Sequence, residues 1–345
     1  MINIKEIGSE FWDVPIINQQ NSLFPGSTQW FLSGRSALQE IIKELGEARS
    51  VSLPSWCCDS MIKPFVDARM EVHFYPVYWS DGQLIQEWSF DCDVIFLIDY
   101  FGNTRSKPEL NSFNGVIIRD VTHSLFSTMY SDADYYFGSL RKWCGVWTGG
   151  YAWSKDGHEL QMEDSDDRGY GLFREQAMQL KNSYIHGWGV KDKGYLKVFD
   201  TAEEILENIG ITKAADRDIY LAQQLDVELI RTRRRANAEI LRTAFPEWLI
   251  FPEMRETDCP MFVPIIVPNN CRDELRRFLI KEDIYCPIHW PISEYHQLDN
   301  RTRYLYDNEL SLVCDQRYRE EDMYRIVEAI KMFMRNRNGT HSLFT

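Results

Sequence analysis

The sequence predicts an α/β protein. A large domain on a mostly parallel sheet spans residues 1–240, and a smaller α+β domain spans 241–345. Three observations carry this expectation. Apolar runs at 94–98, 116–118 and 135–137 are short and unbroken, as in strands buried on both faces. Amphipathic segments at helical spacing separate strand-like stretches, the pattern of crossover connections in a parallel sheet. Beyond residue 261, short strands and helices mix again in a smaller unit.

The elements follow in order. After a turn at Phe24-Pro25-Gly26, Leu38, Ile41, Ile42 and Leu45 fall on one helical face, and Gly46 ends that helix. Residues 51–53 read as a strand, 61–68 as a helix and 72–75 as a strand. Residues 164–169 are polar and read as a loop, and 172–240 read as mostly helical. Arg231, Arg233, Arg234 and Arg235 are expected on a solvated or salt-bridged helix face, with phosphate binding as the alternative. Residues 262–267 read as a strand in which Pro264 implies an edge or a bulge. A helix over 273–280, strands at 285–290 and 310–313, and a closing helix over 320–334 complete the chain. Met323, Ile326, Val327, Ile330 and Phe333 form the stripe of that last helix.

Composition narrows the function. Among 345 residues, 38 are Lys or Arg and 52 are Asp or Glu, a net charge of −14. Such acidity disfavours a nucleic-acid binder, whose affinity rests on cations against phosphates. Eight cysteines include no C-x-x-C pair, so they read as reduced and mostly buried rather than as a metal or redox motif. No apolar stretch approaches the roughly 20 residues of a membrane helix. The first ten residues lack a cationic-then-apolar leader, so a soluble cytoplasmic protein is expected.

Three features lie where α/β sheets bind ligands, just past strand ends. Gly34, Arg35 and Ser36 open a helix, whose free N–H groups suit an anion; an ordinary serine cap is the alternative. Asp120 ends an apolar strand and needs a cation, either Arg119 or Arg141 or a ligand's protonated nitrogen. His123 follows within reach of the same ligand. Lys142 follows a strand among aromatics; it is either a desolvated nucleophile or a snorkelling surface lysine. Together, an anion cradle, a carboxylate and a lysine 22 residues later match what pyridoxal 5'-phosphate needs for its phosphate, ring nitrogen and aldehyde.

Here the chain resembles the DegT/DnrJ/EryC1/StrS aminotransferases over nearly its whole length. Ser33-Gly34-Arg35-Ser36-Ala37-Leu38 stands where that family has S-G-T-x-A-L, its phosphate loop. Leu53-Pro54-Ser55-Trp56 resembles the P-x-[YW] turn, and Ile98-Asp99-Tyr100-Phe101-Gly102-Asn103 the H-x-Y-G-Q segment. Arg119-Asp120-Val121-Thr122-His123 stands at E-D-A-A-Q, Lys142 at the Schiff-base lysine, and Gly149-Gly150 at the following glycine pair. Ile288-His289-Trp290-Pro291 resembles H-Y-P of the small domain. There are departures: Phe137 replaces a common phosphate-binding serine, with Ser139 as a substitute, and no G-x-N-x-R-M segment is present. The Ser-Leu-Arg-Lys-Trp form, residues 139–143, marks a divergent subgroup.

The resemblance implies a fold type I transferase with a seven-stranded, mostly parallel sheet. It implies an aminotransferase that passes nitrogen, from glutamate, to a nucleotide-linked keto-sugar. Lys142 would form the Schiff base and Asp120 would hold the ring nitrogen protonated. Trp56 would stack on the ring, and Gly34, Arg35, Ser36 and Ser139 would bind the phosphate, with His123 at the ring hydroxyl. Tyr100 and His289 are candidates for substrate contact. A homodimer with active sites at its interface is expected. The alternatives are a silent or regulatory protein of the same fold, and a sugar dehydratase, in which a histidine replaces the lysine.

Overall fold

The computed structural model describes residues 6–103, 108–110, 113–127, 132–162 and 167–341. From the N-terminus, β1 (Ile7–Gly8) and β2 (Gln29–Phe31) precede α1 (Gly34–Glu44). β3 (Ser50–Pro54), α2 (Asp59–Asp67) and β4 (Glu71–Tyr75) follow. A hairpin of β5 (Val77–Ser80) and β6 (Gln83–Gln86) leads to β7 (Val94–Ile98), β8 (Val116–Asp120), β9 (Tyr135–Ser139) and β10 (Gly150–Ser154). Four helices come next: α3 (Tyr170–His186), α4 (Tyr195–Glu207), α5 (Asp216–Gln223) and α6 (Val227–Ala244). The chain closes with β11 (Val263–Ile266), α7 (Arg272–Lys281), β12 (Ile284–Tyr285), α8 (Asn300–Asn308), β13 (Glu309–Leu312) and α9 (Glu320–His341).

Seven strands form the main sheet in the order β2-β10-β9-β8-β7-β3-β4. β4, β3, β7, β8 and β9 pair in parallel, and β10 and β2 add antiparallel strands at one edge. The apolar runs explain the centre: every residue of β7 is buried, as a strand covered on both faces requires. Register then aligns the strand ends. Asp120 lies opposite Ile98 of β7 and Phe137 of β9, so the segments leaving all three strands emerge at one edge. A second core gathers Leu275 and Leu279 of α7, Leu310 and Leu312 of β13, and Ile326 and Ile330 of α9. α6 joins the two regions: Ile230 packs with the sheet's aromatics, whereas Ala238 and Leu241 belong to the second core.

Several expectations need correction. Residues 285–290 are not a strand; β12 stops at Tyr285, two residues before Pro287, which has no N–H to pair. The β5–β6 hairpin and α8 are additions. The hairpin's signal was present in Asp81-Gly82, both at positive φ, the pair a tight two-residue turn prefers. Arg234 is not on a solvated face. It is 1% exposed, donates from Nε to Gln316 at 2.7 Å and from Nη1 to the Met261 carbonyl at 2.8 Å, and lies over the Trp143 ring. Asp164, Ser165 and Asp166 lie outside the described residues. Asp167 to Gly169 form a turn in which the Asp167 carboxylate accepts from the Gly169 N–H.

β11 pairs with β13 on one side; on the other, Leu249 bridges Ile265 and the Ile250 N–H donates to the Pro264 carbonyl at 3.1 Å. Met323, Ile326, Val327 and Ile330 are buried along α9. The cysteines are free thiols, all buried except the half-buried Cys58 and Cys92. Among the described residues no cluster could hold a metal ion, and no helix is long and apolar enough to cross a membrane.

Candidate active site

The carboxyl edge of the parallel strands collects the candidate residues. Asp120 ends β8 and is 3% exposed. Its Oδ1 accepts from the Thr122 N–H at 2.8 Å, and no cation pairs with it among the described residues. The two arginines that could serve are committed elsewhere. Arg119 holds Asp99 at 2.6 Å and Asp132 at 2.8 Å, while Arg141 pairs with Glu203 at 3.1 Å and donates to the Tyr170 hydroxyl. Burial therefore pushes the Asp120 carboxyl up to about 6, against the lowering effect of the Thr122 hydrogen bonds. A buried carboxylate without a counter-ion is costly unless a ligand supplies the positive charge.

The start of α1 sits beside the next strand. Gly34 lies against Gly138 and Ser139, so close that a Cβ there would stand 3.2 Å from the Gly138 carbonyl oxygen. Ser33 caps the helix, its Oγ accepting from the Ser36 N–H at 3.1 Å. Ser36 thereby differs from expectation: it is 2% exposed, its N–H is taken, and its hydroxyl meets Ser33 Oγ at 3.0 Å. Among the described residues no acceptor is assigned to the N–H groups of Gly34 and Arg35. The half-buried Arg35 side chain and the half-buried Ser139 hydroxyl also have no assigned partner. Gly34 meets Ser139 at this helix N-terminus, where free N–H groups suit a phosphate.

Three residues past β9, Lys142 is exposed, not desolvated as one of the two sequence readings held. It lines a cavity of ≈ 580 Å³, within the size range of small-molecule sites. Residues 8–11, the α4 residues Phe199 and Glu203, and residues 285–290 complete much of the wall. His123 and His289 both face this cavity, their ring centres 5.7 Å apart. Burial drives the His123 imidazole down to about 3, and the Lys142 ammonium adds to the effect. His289 is driven well below its usual range by burial, then by His123 and Lys142. Both rings are neutral at physiological pH. Arg276 of α7 also lines the cavity; it donates from Nε to the Cys286 carbonyl at 3.3 Å and has no carboxylate partner among the described residues.

Two expected contacts do not materialise. Trp56 is fully buried: Tyr100 stacks on it at 4.9 Å between centres and 17° between planes, and its Nε1 donates to the His289 carbonyl at 2.6 Å. No face of the indole is open to a ligand. Tyr100 is 2% exposed and donates its hydroxyl to the Trp56 carbonyl, so it belongs to the packing beneath the site rather than to the cavity wall. The residue of this turn nearer the site is Cys58. It is half-buried, and burial raises its thiol; the field of Asp120 adds to that rise and Lys142 opposes it. Sequence reading passed over Cys58, Arg276 and the N-terminal residues 8–11. Cys58 had a signal in being the last residue before α2, where a strand-to-helix turn faces the carboxyl edge.

No family model matches the chain, and no curated protein matches it in sequence. Solved structures do match it in fold. PseC of Helicobacter pylori, an aminotransferase of pseudoaminic acid biosynthesis, superimposes with a TM-score of 0.62 at 15% identity, covering 94% of this chain and 99% of that one. A putative sugar aminotransferase of Streptococcus pneumoniae in its PLP form gives 0.59 at 16% identity, covering 88% and 86%. A DegT DnrJ EryC1 StrS aminotransferase from Brucella abortus gives 0.58 at 16% identity, covering 89% and 85%. The chain has the fold type I architecture that these proteins share.

Proposed function

We propose that the protein is a pyridoxal-phosphate-dependent aminotransferase of the DegT/DnrJ/EryC1/StrS kind, acting on a keto-sugar with glutamate as amino donor. The observation that carries this reading is Asp120: a buried carboxylate without a cation, raised to about 6, on the strand edge that also presents Lys142 and the α1 N-terminus. The cofactor, when bound, supplies a pyridinium nitrogen, an aldehyde for an amine and an electron sink.

Each residue then has a task. Asp120 balances the ring nitrogen's proton, which removes the penalty of its own burial. The Gly34 and Arg35 N–H groups, with Arg35 and Ser139, hold the phosphate. Lys142 is the amine that holds the aldehyde and, when released, moves a proton at the substrate carbon. His123 stands at the ring-hydroxyl position, with its Nδ1 accepting from the Phe101 N–H at 3.4 Å. Arg276 attracts a substrate anion, a carboxylate or a sugar-linked phosphate. A dimer completes the site. Borohydride reduction of the protein mixed with pyridoxal phosphate should fix the label on the peptide holding Lys142. A label elsewhere, or none, overturns the reading; size measurement in solution tests the dimer.

A further inference from the structure

Behind His289 lies a buried chain of hydrogen bonds that the resemblance does not account for. His289 Nδ1 lies 2.9 Å from Ser311 Oγ, and Ser311 Oγ lies 2.6 Å from Glu309 Oε1. Glu309 Oε2 accepts from the His289 backbone N–H at 2.7 Å, which fixes the carboxyl beneath the ring. Glu309 and Ser311 are fully buried, whereas the His289 side chain is 12% exposed and lines the cavity with Lys142. Nε2 of His289 has no partner among the described residues.

We propose that Glu309, Ser311 and His289 form a proton relay whose outer end, His289 Nε2, donates a proton to the oxygen that leaves a keto substrate. This rests on the aminotransferase reading. Exchange of a carbonyl oxygen for nitrogen releases water. As the carbon–oxygen bond breaks, the oxygen departs with one hydrogen from the incoming nitrogen and one from Nε2. The Ser311 hydroxyl proton passes to Nδ1, and the Glu309 proton passes to Ser311. The nitrogen keeps its other hydrogen, and Glu309 is left as the carboxylate until solvent returns its proton.

The arrangement suits this task because burial holds the His289 imidazole well below its usual range, although Glu309 Oε1 lies 4.0 Å from Nδ1. Its surroundings disfavour a charged ring: Phe101 and Phe262 lie 5.1 and 5.2 Å away, and His123 and Lys142 face it. The proton is stored on Glu309 instead. Burial raises that carboxyl to about 8, while its bonds from His289 and Ser311 and the charge of Arg272 oppose the rise. Arg272, on α7, donates to the Glu309 carbonyl at 2.9 Å, and the buried Cys286 thiol is a further titratable neighbour. At pH 7 Glu309 is protonated and donates to Ser311, Ser311 donates to Nδ1, and Nε2 carries its hydrogen toward the cavity. Above about pH 8 the carboxylate accepts from Ser311, Nδ1 holds the hydrogen, and Nε2 presents a lone pair.

The test reads the tautomer directly. In ¹⁵N-histidine-labelled full-length protein, assigned with His289→Gln, the His289 resonances should change from the Nε2–H to the Nδ1–H pattern with a midpoint near pH 8. Glu309→Gln cannot exchange a proton, so one tautomer should persist at every pH. Single-turnover reaction of the pyridoxamine-phosphate-loaded protein with 2-oxoglutarate should slow about tenfold or more at pH 7 in both Ser311→Ala and Glu309→Gln, with cofactor affinity retained. A His289 tautomer independent of pH in the unchanged protein, or a wild-type rate and pH profile in Ser311→Ala, overturns the relay. If 2-oxoglutarate fails to react with the unchanged protein, the aminotransferase reading fails, and the tautomer measurement still decides whether the relay exists.

Discussion

Asp120→Asn separates the requirements of the fold from those of the ligand. The asparagine can keep the 2.8 Å bond from the Thr122 N–H through its own carbonyl oxygen while removing the buried negative charge. A rise from 3.8 to about 6 means the folded state disfavours the ionised carboxyl. The penalty is absent well below pH 3.8, grows with pH, and is complete above about 6, where it reaches about 3 kcal/mol. For a chain of this size that corresponds to a melting shift of about 4 °C. The ligand-free variant should therefore melt higher than the unchanged protein at pH 8, by about 4 °C, and the gap should shrink by roughly half at pH 5. Addition of pyridoxal phosphate should reverse the order, because only the carboxylate balances a pyridinium. Scanning fluorimetry at both pH values, with and without the cofactor, reads all four states. A ligand-free variant that melts lower at pH 8, or equal cofactor-induced shifts in the two proteins, would refute this account of Asp120.

Three further outcomes follow from other contacts. Arg119→Met leaves the buried Asp99 carboxylate, among the described residues, with the Ser124 hydroxyl at 2.8 Å, and should cost about 3–5 kcal/mol in urea unfolding. Gly102 has φ +81°, and a Cβ there would stand 1.9 Å from the Cys259 carbonyl oxygen; Gly102→Ala should lose more than about 2 kcal/mol in the same assay or fail to accumulate as folded protein. Arg276→Met should raise KM for an anionic substrate about tenfold or more while leaving cofactor binding unchanged, as steady-state kinetics and fluorescence titration would show.

The sequence made the strand ends readable because burial on both faces leaves continuous apolar runs. Asp120 and Lys142 stood out as polar residues following such runs, and the structure brings both to one edge with the α1 N-terminus. What escaped was decided by packing across long separations. Trp56 has the right residue type at the right turn, yet Tyr100 and Trp290 enclose it, and no local pattern encodes that enclosure. Ser36 looked like a ligand residue until the Ser33 cap occupied its N–H. Arg234 sits in an exposed-looking charge run, but Gln316 and the Met261 carbonyl, far away in sequence, draw it inward. Glu309 opens an apolar strand, and only the fold places its carboxyl beneath His289.

The central claim is that Lys142 holds pyridoxal phosphate and exchanges nitrogen through it. The most direct measurement is the visible absorption spectrum of the purified protein with pyridoxal phosphate, before and after glutamate, alongside Lys142→Ala. The account predicts a band that requires Lys142 and that glutamate converts to the pyridoxamine phosphate spectrum. A spectrum indifferent to Lys142, or a lysine-dependent band that no amino donor changes, would contradict it.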